Sequence, residues 1–588
     1  MTQRPRGHPS HGGTSGGSSG QLAERQDPAD SRRRAVILLG VLALLFGVVG
    51  VQLVRVQVIG AERYVRHGEA QRVRGIELPA GRGSIFDRND YDLAITIPQT
   101  TVVADPRLVT DPDATARSLA GLLDGTHDAD VDELRDRLAS DAAFVYVARG
   151  IPDEVADEIA SSELEGIWFI DEPKRFNPSD DLALSVLGRV GTDNEGLSGL
   201  ELSYDEALTG TPGELVLERD PEGRTIPAGR HRLEPADPGE DLILTIDRNL
   251  QFEAERVLAE HVAATGAKAG TAIVSDPRSG EIFALVNIEA HPSGPRSSGN
   301  NMAVTTVYEP GSVSKVITLA SAIEEDVVTP TTILQVPYSL RVADHTFTDP
   351  FGHATESYTV DEILTRSSNV GTILIAQQLG KHAMYDYLQA FGFGEPTALD
   401  FPSEVGGRFP KPEDWSGTSI ATIPVGQGVS VTAMQMLFAY NAIANDGVYV
   451  PPKLVGAIVD ADGERRPGPS ERPRRIVSRA TATQMREMMA GVVEEGTGKT
   501  ASIEGYRVAG KTGTARKASP AGGYVWPGGG YRHTASFAGF MPADDPTLSV
   551  LVVLDEPQQA YASETAAPAF AELSRHALRM LRLPPATG

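Results

Sequence analysis

Residues 35–51 carry no polar side chain, and Arg32-Arg33-Arg34 stands immediately before them. A helix formed there has no polar face to turn to water, so it belongs in hydrocarbon. With Leu53, Val54 and Val56 following Gln52 and Arg55, the run approaches the roughly 20 residues needed to cross a bilayer. The arginine triplet orients it, keeping the N-terminus inside and exporting everything after about residue 55. A cleaved signal peptide is the competing reading. Against it, the run is longer than a usual signal core and leads into Gln52-Leu53-Val54-Arg55 instead of a small-x-small cleavage site. The expected location is therefore the cytoplasmic (inner) membrane, single-pass, with the folded part extracytoplasmic.

The chain of 588 residues exceeds one ordinary core, so two or more folded parts are expected outside that helix. Its formal net charge of -26 repels a phosphate backbone, which argues against nucleic acid as a partner. It has no cysteine, which removes disulfides, thiolate catalysis and Cys-ligated zinc. Its histidines show no H-E-x-x-H spacing.

Four segments follow: a disordered tail 1–31, a transmembrane helix 32–55, a β-rich N-terminal part 56–236 and a catalytic part 237–588. Residues 56–75 read as a polar continuation of the helix. Turn sequences at 79–83 and 87–90 bracket Ser84-Ile85-Phe86, and residues 93–103 alternate weakly, which predicts short strands. Residues 111–165 read as acidic helices, with Leu119, Leu122, Leu123, Leu134 and Leu138 at helical spacing. After a glycine-punctuated stretch the boundary falls at 235–239. Strands are then expected at 241–246, 271–276, 281–287, 506–514, 534–541 and 548–554, with helices at 247–264 and around Phe570, Leu573, Ala577 and Leu581. This is an α/β (α+β) arrangement.

Three short motifs carry chemistry. In Pro310-Gly311-Ser312-Val313-Ser314-Lys315, proline and glycine precede a long helical pattern. Ser312 is therefore expected at the helix N-terminus, where free N–H groups favour negative charge. Lys315 stands one turn on, on the same face. A lysine of ordinary pKa is neutral roughly once in two thousand molecules at pH 7, so a basic role requires burial or a cationic neighbour. Thr359-Val360-Asp361-Glu362 forms a capping box opening a short helix, which leaves Ser367-Ser368-Asn369 in the loop before the next one. Lys511-Thr512-Gly513-Thr514 lies within an expected strand, where Gly513 leaves room for a substrate backbone. If the three converge, Lys511 keeps Lys315 neutral, Ser367 relays a proton, Asn369 holds a substrate amide, and the strand offers an oxyanion N–H. Singly, each motif is more often a capped helix, a turn or a strand end.

In this order they resemble the S-x-x-K, S-x-N and K-T-G set of the penicillin-recognising acyl-transferases. The chain as a whole resembles the class B penicillin-binding proteins, and within them the division-specific, FtsI-like branch. Arg82-Gly83-Ser84-Ile85-Phe86-Asp87-Arg88 and Gly199-Leu200-Glu201 with Tyr204 look like the family's two pedestal motifs. Tyr308-Glu309, Gly426-Gln427-Gly428 and Gly496-Thr497-Gly498 also match. Asp90 stands where the pedestal motif usually has glycine, which puts the positive φ of that turn in doubt. The resemblance implies an elongated dimerisation-type pedestal under a transpeptidase domain. It implies attack by Ser312 on the D-Ala-D-Ala of a stem pentapeptide, resolution by an acceptor stem peptide, and acylation by β-lactams. It assigns the oxyanion hole to the N–H groups of Ser312 and Thr514, and the substrate carboxylate to Lys511, Thr512 and Thr514. No cofactor is expected. The implied partners are an FtsW-type glycan polymerase and other divisome membrane proteins.

Ser367-Ser368-Asn369-Val370-Gly371 favours division over the elongation-specific relatives, which resemble Ser-x-Asp there. A β-lactamase or D,D-carboxypeptidase shares the three motifs but leaves the anchor and residues 56–236 unexplained. A β-lactam-sensing receptor or septal scaffold would be expected to carry a cytoplasmic output domain or to lack Lys315.

Overall fold

The computed structural model describes residues 28–59, 73–125, 129–218 and 231–585. These fall into two units, the described residues within 1–76 and 214–233 and those within 77–213 and 234–588. The described part of the first begins with α1 (Pro28–Val54), prolonged by a π-helical turn Arg55–Ile59. Residues 32–58 are long and apolar enough to cross a membrane. Most of the expected tail, 1–27, lies outside the described residues, and its last part, from Pro28, is already helix. Of the polar continuation expected over 56–75, the helix is described as far as Ile59, and from Val73 the chain is a strand, Val73–Leu78; residues 60–72 lie outside the described residues.

The second unit opens with β1 (Ile85–Phe86), β2 (Asp92–Ala104), β3 (Val145–Ile151) and β4 (Ile167–Phe176). Instead of several short strands, β2 is one strand of 13 residues, because β3 and β4 pair along its two edges. The segment 111–165 is not purely helical. Helices Pro112–Leu123, Val131–Leu138 and Asp153–Ser161 alternate with β3. The leucines expected on one face, Leu119, Leu123, Leu134 and Leu138, are buried together against it. Residues 145–151, Val-Tyr-Val-Ala-Arg-Gly-Ile, are rich in β formers, but the surrounding acidic helical pattern masks so short a run.

The catalytic part contributes β5 (Asp241–Leu244), α2 (Arg248–Thr265), β6 (Ala269–Ser275), β7 (Ile282–Glu289) and a short β8 (Arg296–Ser297). Later come β9 (Val455–Val459), β10 (Arg465–Pro467), β11 (Ala509–Arg516), β12 (His533–Met541) and β13 (Leu548–Asp555). A six-stranded sheet runs β8-β7-β6-β13-β12-β11. Asp247 caps α2 by accepting the Asn249 and Leu250 N–H groups. One face of the sheet packs on α2 and on the closing helix α8 (Ala566–Met580), through Leu250, Val257, Phe570 and Leu573. The other face meets a mainly helical core built on α3 (Lys315–Glu324), α4 (Val360–Thr365), α5 (Asn369–Leu379), α6 (Ala433–Ala444) and α7 (Arg479–Glu494).

A second sheet crosses the boundary expected near residue 237. Its order is β10-β9-β5-β1-β2-β3, with β4 also on β2, and β1 runs parallel to β5, Ile85 opposite Leu242. Beside it Arg82 meets Glu201, Nε donating to Oε2 at 2.6 Å, and Arg175 Nε donates to Oε1 at 2.7 Å. The three side chains are 0, 3 and 4% exposed. The two pedestal motifs are thus one buried Arg-Glu-Arg cluster. Gly83 follows because a Cβ there would stand 2.0 Å from the Glu240 carbonyl oxygen. Asp90 does adopt a positive φ of 62°, a conformation Asp tolerates better than most residues.

Glu201→Gln removes the carboxylate that two buried guanidiniums share, leaving Arg82 with Asp205 and Arg175 with a neutral amide. It is expected to cost about 3–5 kcal/mol of stability, read as a lowered thermal midpoint; an unchanged midpoint would refute the role given to the cluster.

Candidate active site

Ser312 does not sit in the first turn of an α-helix. It lies in a 3-10 turn, Gly311–Ser314, and α3 begins at Lys315. The turn is pinned from two sides. Buried Tyr440 donates its hydroxyl to the Val313 carbonyl at 2.8 Å, and the Gly311 N–H donates to the Gly426 carbonyl at 2.9 Å. On a third side it lies against β11. A Cβ on Gly513 would meet Ser536 Oγ at 2.4 Å, Pro310 O at 3.0 Å and Val313 Cγ1 at 3.0 Å. The Cβ side of this glycine is therefore filled by Ser536 of β12 and by the Ser312 turn, a packing demand for glycine that the strand alone does not show.

The capping box at α4 is present, with the Thr359 N–H donating to Glu362 Oε2 at 2.8 Å and the Glu362 N–H to Thr359 Oγ1 at 3.1 Å. After α4, Ser367 takes φ 58°, a left-handed conformation that is strained for a serine. That turn aims its carbonyl at Lys315, whose Nζ lies 2.6 Å from Ser367 O, 3.3 Å from Ser367 Oγ and 2.7 Å from Asn369 Oδ1. The Asn369 amide is oriented by its Nδ2, which donates to the Thr348 carbonyl at 2.9 Å. A neutral amine has two N–H donors and one lone pair. Ser367 O and Asn369 Oδ1 take the two donors, and the Ser367 hydroxyl can donate into the lone pair. The shell of Lys315 is thus satisfied without an ionised partner. None of its three bonds goes to Ser312, and catalytic hydrogen bonds often tighten only when substrate is bound.

Lys315 and Lys511 are both fully buried. Burial holds the Lys315 pKa well below its ordinary value, the Lys511 charge lowers it further, and Asp349 opposes. Burial alone brings Lys511 down to about 7. Burial and a cationic neighbour were both expected to act on Lys315, and burial comes first. Along β11, Thr512 Oγ1 lies 2.9 Å from Thr497 Oγ1 and 3.3 Å from Lys511 Nζ, and Thr514 Oγ1 accepts the Ala562 N–H at 3.1 Å. Ser312 thus comes from the turn, Lys315 and Asn369 from the first residues of α3 and α5, Ser367 from the loop between α4 and α5, and Lys511, Thr512, Gly513 and Thr514 from one strand.

The family model described as "Penicillin binding protein transpeptidase domain" matches residues 270–575, and that described as "Penicillin-binding Protein dimerisation domain" matches residues 77–244. Penicillin-binding protein PbpB of Mycolicibacterium smegmatis is 34% identical over 592 residues, covering 93% of this chain and 90% of that protein. The chain belongs to the penicillin-binding protein transpeptidases. Peptidoglycan D,D-transpeptidase FtsI of Escherichia coli is 31% identical over 569 residues, covering 94% of this chain and 92% of that one. The crystal structure of penicillin-binding protein 3 from Mycobacterium tuberculosis, complexed with aztreonam, superposes with a TM-score of 0.67 at 31% identity, covering 87% of this chain and 98% of that one. This penicillin-binding protein is a class B, serine-type D-Ala-D-Ala transpeptidase with one N-terminal helix able to span a membrane.

Three residues beside the site were not singled out for a role. Asp349 accepts the Ser368 hydroxyl at 2.7 Å and the Val370 N–H at 2.8 Å. Glu309, three residues before Ser312, accepts the Gly428 N–H and the Tyr524 hydroxyl at 2.9 and 2.8 Å. Thr497 supports Thr512. The resemblance names Glu309 and Thr497 as motif positions without a task, and Asp349 lies in no motif, so only the three-dimensional contacts reveal it.

Lys511→Met removes the charge that helps to depress Lys315. The acid limb of the acylation rate is expected to move to higher pH, with the largest loss below about pH 7, where Lys511 is cationic. Stopped-flow acylation across pH checks this, and a limb left in place would contradict the coupling.

Proposed function

We propose that this penicillin-binding protein cross-links stem peptides during septal cell-wall synthesis, with Ser312 as nucleophile and Lys315 as its base. The observation that carries the reading is the fully buried Lys315 amine, bonded only to Ser367 and Asn369 and depressed in pKa. Ser312 Oγ attacks the carbonyl of the penultimate D-alanine while its proton passes to Lys315 Nζ. Charge collects on the carbonyl oxygen, which the N–H groups of Ser312 and Thr514 receive. The C–N bond then breaks. The leaving D-alanine amine takes the proton back through the Ser367 hydroxyl, leaving an ester on Ser312. An acceptor amine attacks that ester, gives up its proton along the same path, and Ser312 regains its hydrogen. Asn369 holds the donor peptide amide, and Lys511, Thr512 and Thr514 hold the terminal carboxylate.

β-Lactams enter the same route and acylate Ser312; the mycobacterial relative is described in complex with aztreonam and with ampicillin. The Arg32-Arg33-Arg34 triplet before α1 favours a cytoplasmic N-terminus and an extracytoplasmic catalytic part. The septal role is favoured by Ser367-Ser368-Asn369 and by the FtsI name of a relative. An FtsW-type polymerase and other divisome membrane proteins are the partners this role requires.

Incubation with a fluorescent penicillin, followed by mapping of the labelled peptide, is expected to place the label on the peptide carrying Ser312. Ser312→Ala should abolish labelling with the thermal midpoint kept. Label on any other peptide, or persistent label in the variant, would sink the assignment.

A further inference from the structure

Between α3 and α4 an arm folds back on the loop of Ser367 and Asn369. Its strands Ile333–Val336 and Glu356–Thr359 pair with each other, as do Ser339–Val342 and His345–Thr348 within it. Directly after the inner hairpin comes Asp349, which is 6% exposed. Besides Ser368 and Val370, its carboxylate meets a third partner, His353, with Nε2 at 3.1 Å from Oδ2. The other ring nitrogen, Nδ1, lies 2.6 Å from the Ala354 carbonyl oxygen. A carboxylate and a carbonyl only accept. Both contacts are hydrogen bonds together only if both ring nitrogens carry protons, and that is the imidazolium.

The strain at Ser367 gives this charge a task. A serine at φ 58° is held there only when its surroundings over-determine it. The Ser367 carbonyl that this conformation presents is the 2.6 Å partner of Lys315. The next residue, Ser368, is fixed by Asp349, and so is the first turn of α5 through the Val370 N–H.

We propose that His353, as an imidazolium, is a positioning residue for acylation: it holds the Asp349 carboxylate against Ser368 and Val370, and so keeps the strained Ser367 carbonyl on Lys315. The inference rests on reading Ser312 and Lys315 as the acyl-transfer pair. The groups facing the ring are few. Asp349 and Glu356 favour its charge. The rings of Tyr338 and Tyr358 lie 5.9 and 5.6 Å away. Arg366 stacks on Tyr358 at 4.9 Å, and Lys315 feels the Asp349 charge from the far side. Burial of the ring opposes protonation, but the Ala354 carbonyl and Asp349 outweigh it, and the His353 pKa is raised above 6.5. The strut is therefore complete below that raised value; as pH rises through it the ring keeps a single N–H, which cannot serve both Asp349 and the Ala354 carbonyl, so one of the two bonds and the charge facing Asp349 are lost.

The full-length protein and its His353→Gln variant, in detergent, can be acylated by a fluorescent penicillin between about pH 5.5 and 9. The ratio of the two second-order rate constants cancels the titrations of Lys315 and Lys511, which both proteins share. The expected ratio is about five- to tenfold at the acid end, falls above the ordinary histidine pKa, and approaches one at the alkaline end. A ratio of one throughout, or a constant ratio as for a merely structural loss, overturns the proposal. Asp349→Asn keeps the side-chain shape and removes the charge His353 pairs with, but it also removes a charge that raises the Lys315 pKa. The ratio is therefore taken within that background, where adding His353→Gln must leave the rate constant unchanged at every pH, and a ratio that still falls with pH there overturns the proposal. Wild type that takes no label at any pH sinks the acyl-transfer reading itself, and this inference with it.

Discussion

Two lysines buried in one cleft set the terms for everything around them. An ammonium removed from water costs several kcal/mol unless it is paired or gives up its proton, and the hydrogen bonds of Lys315 and Lys511 all go to neutral groups. Deprotonation is the remaining route, and it turns a desolvation penalty into basicity near neutral pH. That solution works only while water stays out and the shell of the amine stays filled. The left-handed Ser367, the oriented Asn369 amide and the tight seat of the Ser312 turn on Gly513 all serve that condition.

The order and kind of elements in the catalytic part are readable from hydrophobic period and caps. Asp247, Thr359 and Ser368 each begin a helix by accepting an N–H, and the buried strands β6, β7, β12 and β13 are apolar runs between turns. Residues 506–508 were expected in β11, which begins at Ala509, because a half-buried approach and the buried strand it leads into are not set apart by hydrophobicity. The N-terminal part was less legible. β3 is hidden among acidic helices, and β2 is continuous only because two partners distant in sequence line its edges. Pairing of that kind leaves no local trace.

For the site, the spacing Ser312 to Lys315 predicted a shared face, and chain order predicted three elements meeting. The structure brings them together. What spacing cannot carry is burial, and burial is the main cause of the lysine shifts. Nor can it show that Gly513 faces Pro310 and Val313, since that contact joins residues about two hundred positions apart. Arg82 and Glu201 make the same point in the pedestal. Each motif was visible, and the ion cluster that gives both a reason was not.

The parallel pairing of β1 with β5, and the antiparallel pairing of β5 with β9, also govern how this chain comes to be folded. Ile85 emerges from the ribosome well before Leu242, and Leu242 well before Ile458. At typical synthesis rates the interval from the first to the last of these is on the order of tens of seconds. Over that interval the sheet always has an open edge, β1 until β5 is made and then β5 until β9 is made. The pedestal therefore cannot finish as an autonomous early domain; its sheet closes only after most of the catalytic part has been made, which leaves the newborn chain dependent on whatever shields an open strand edge.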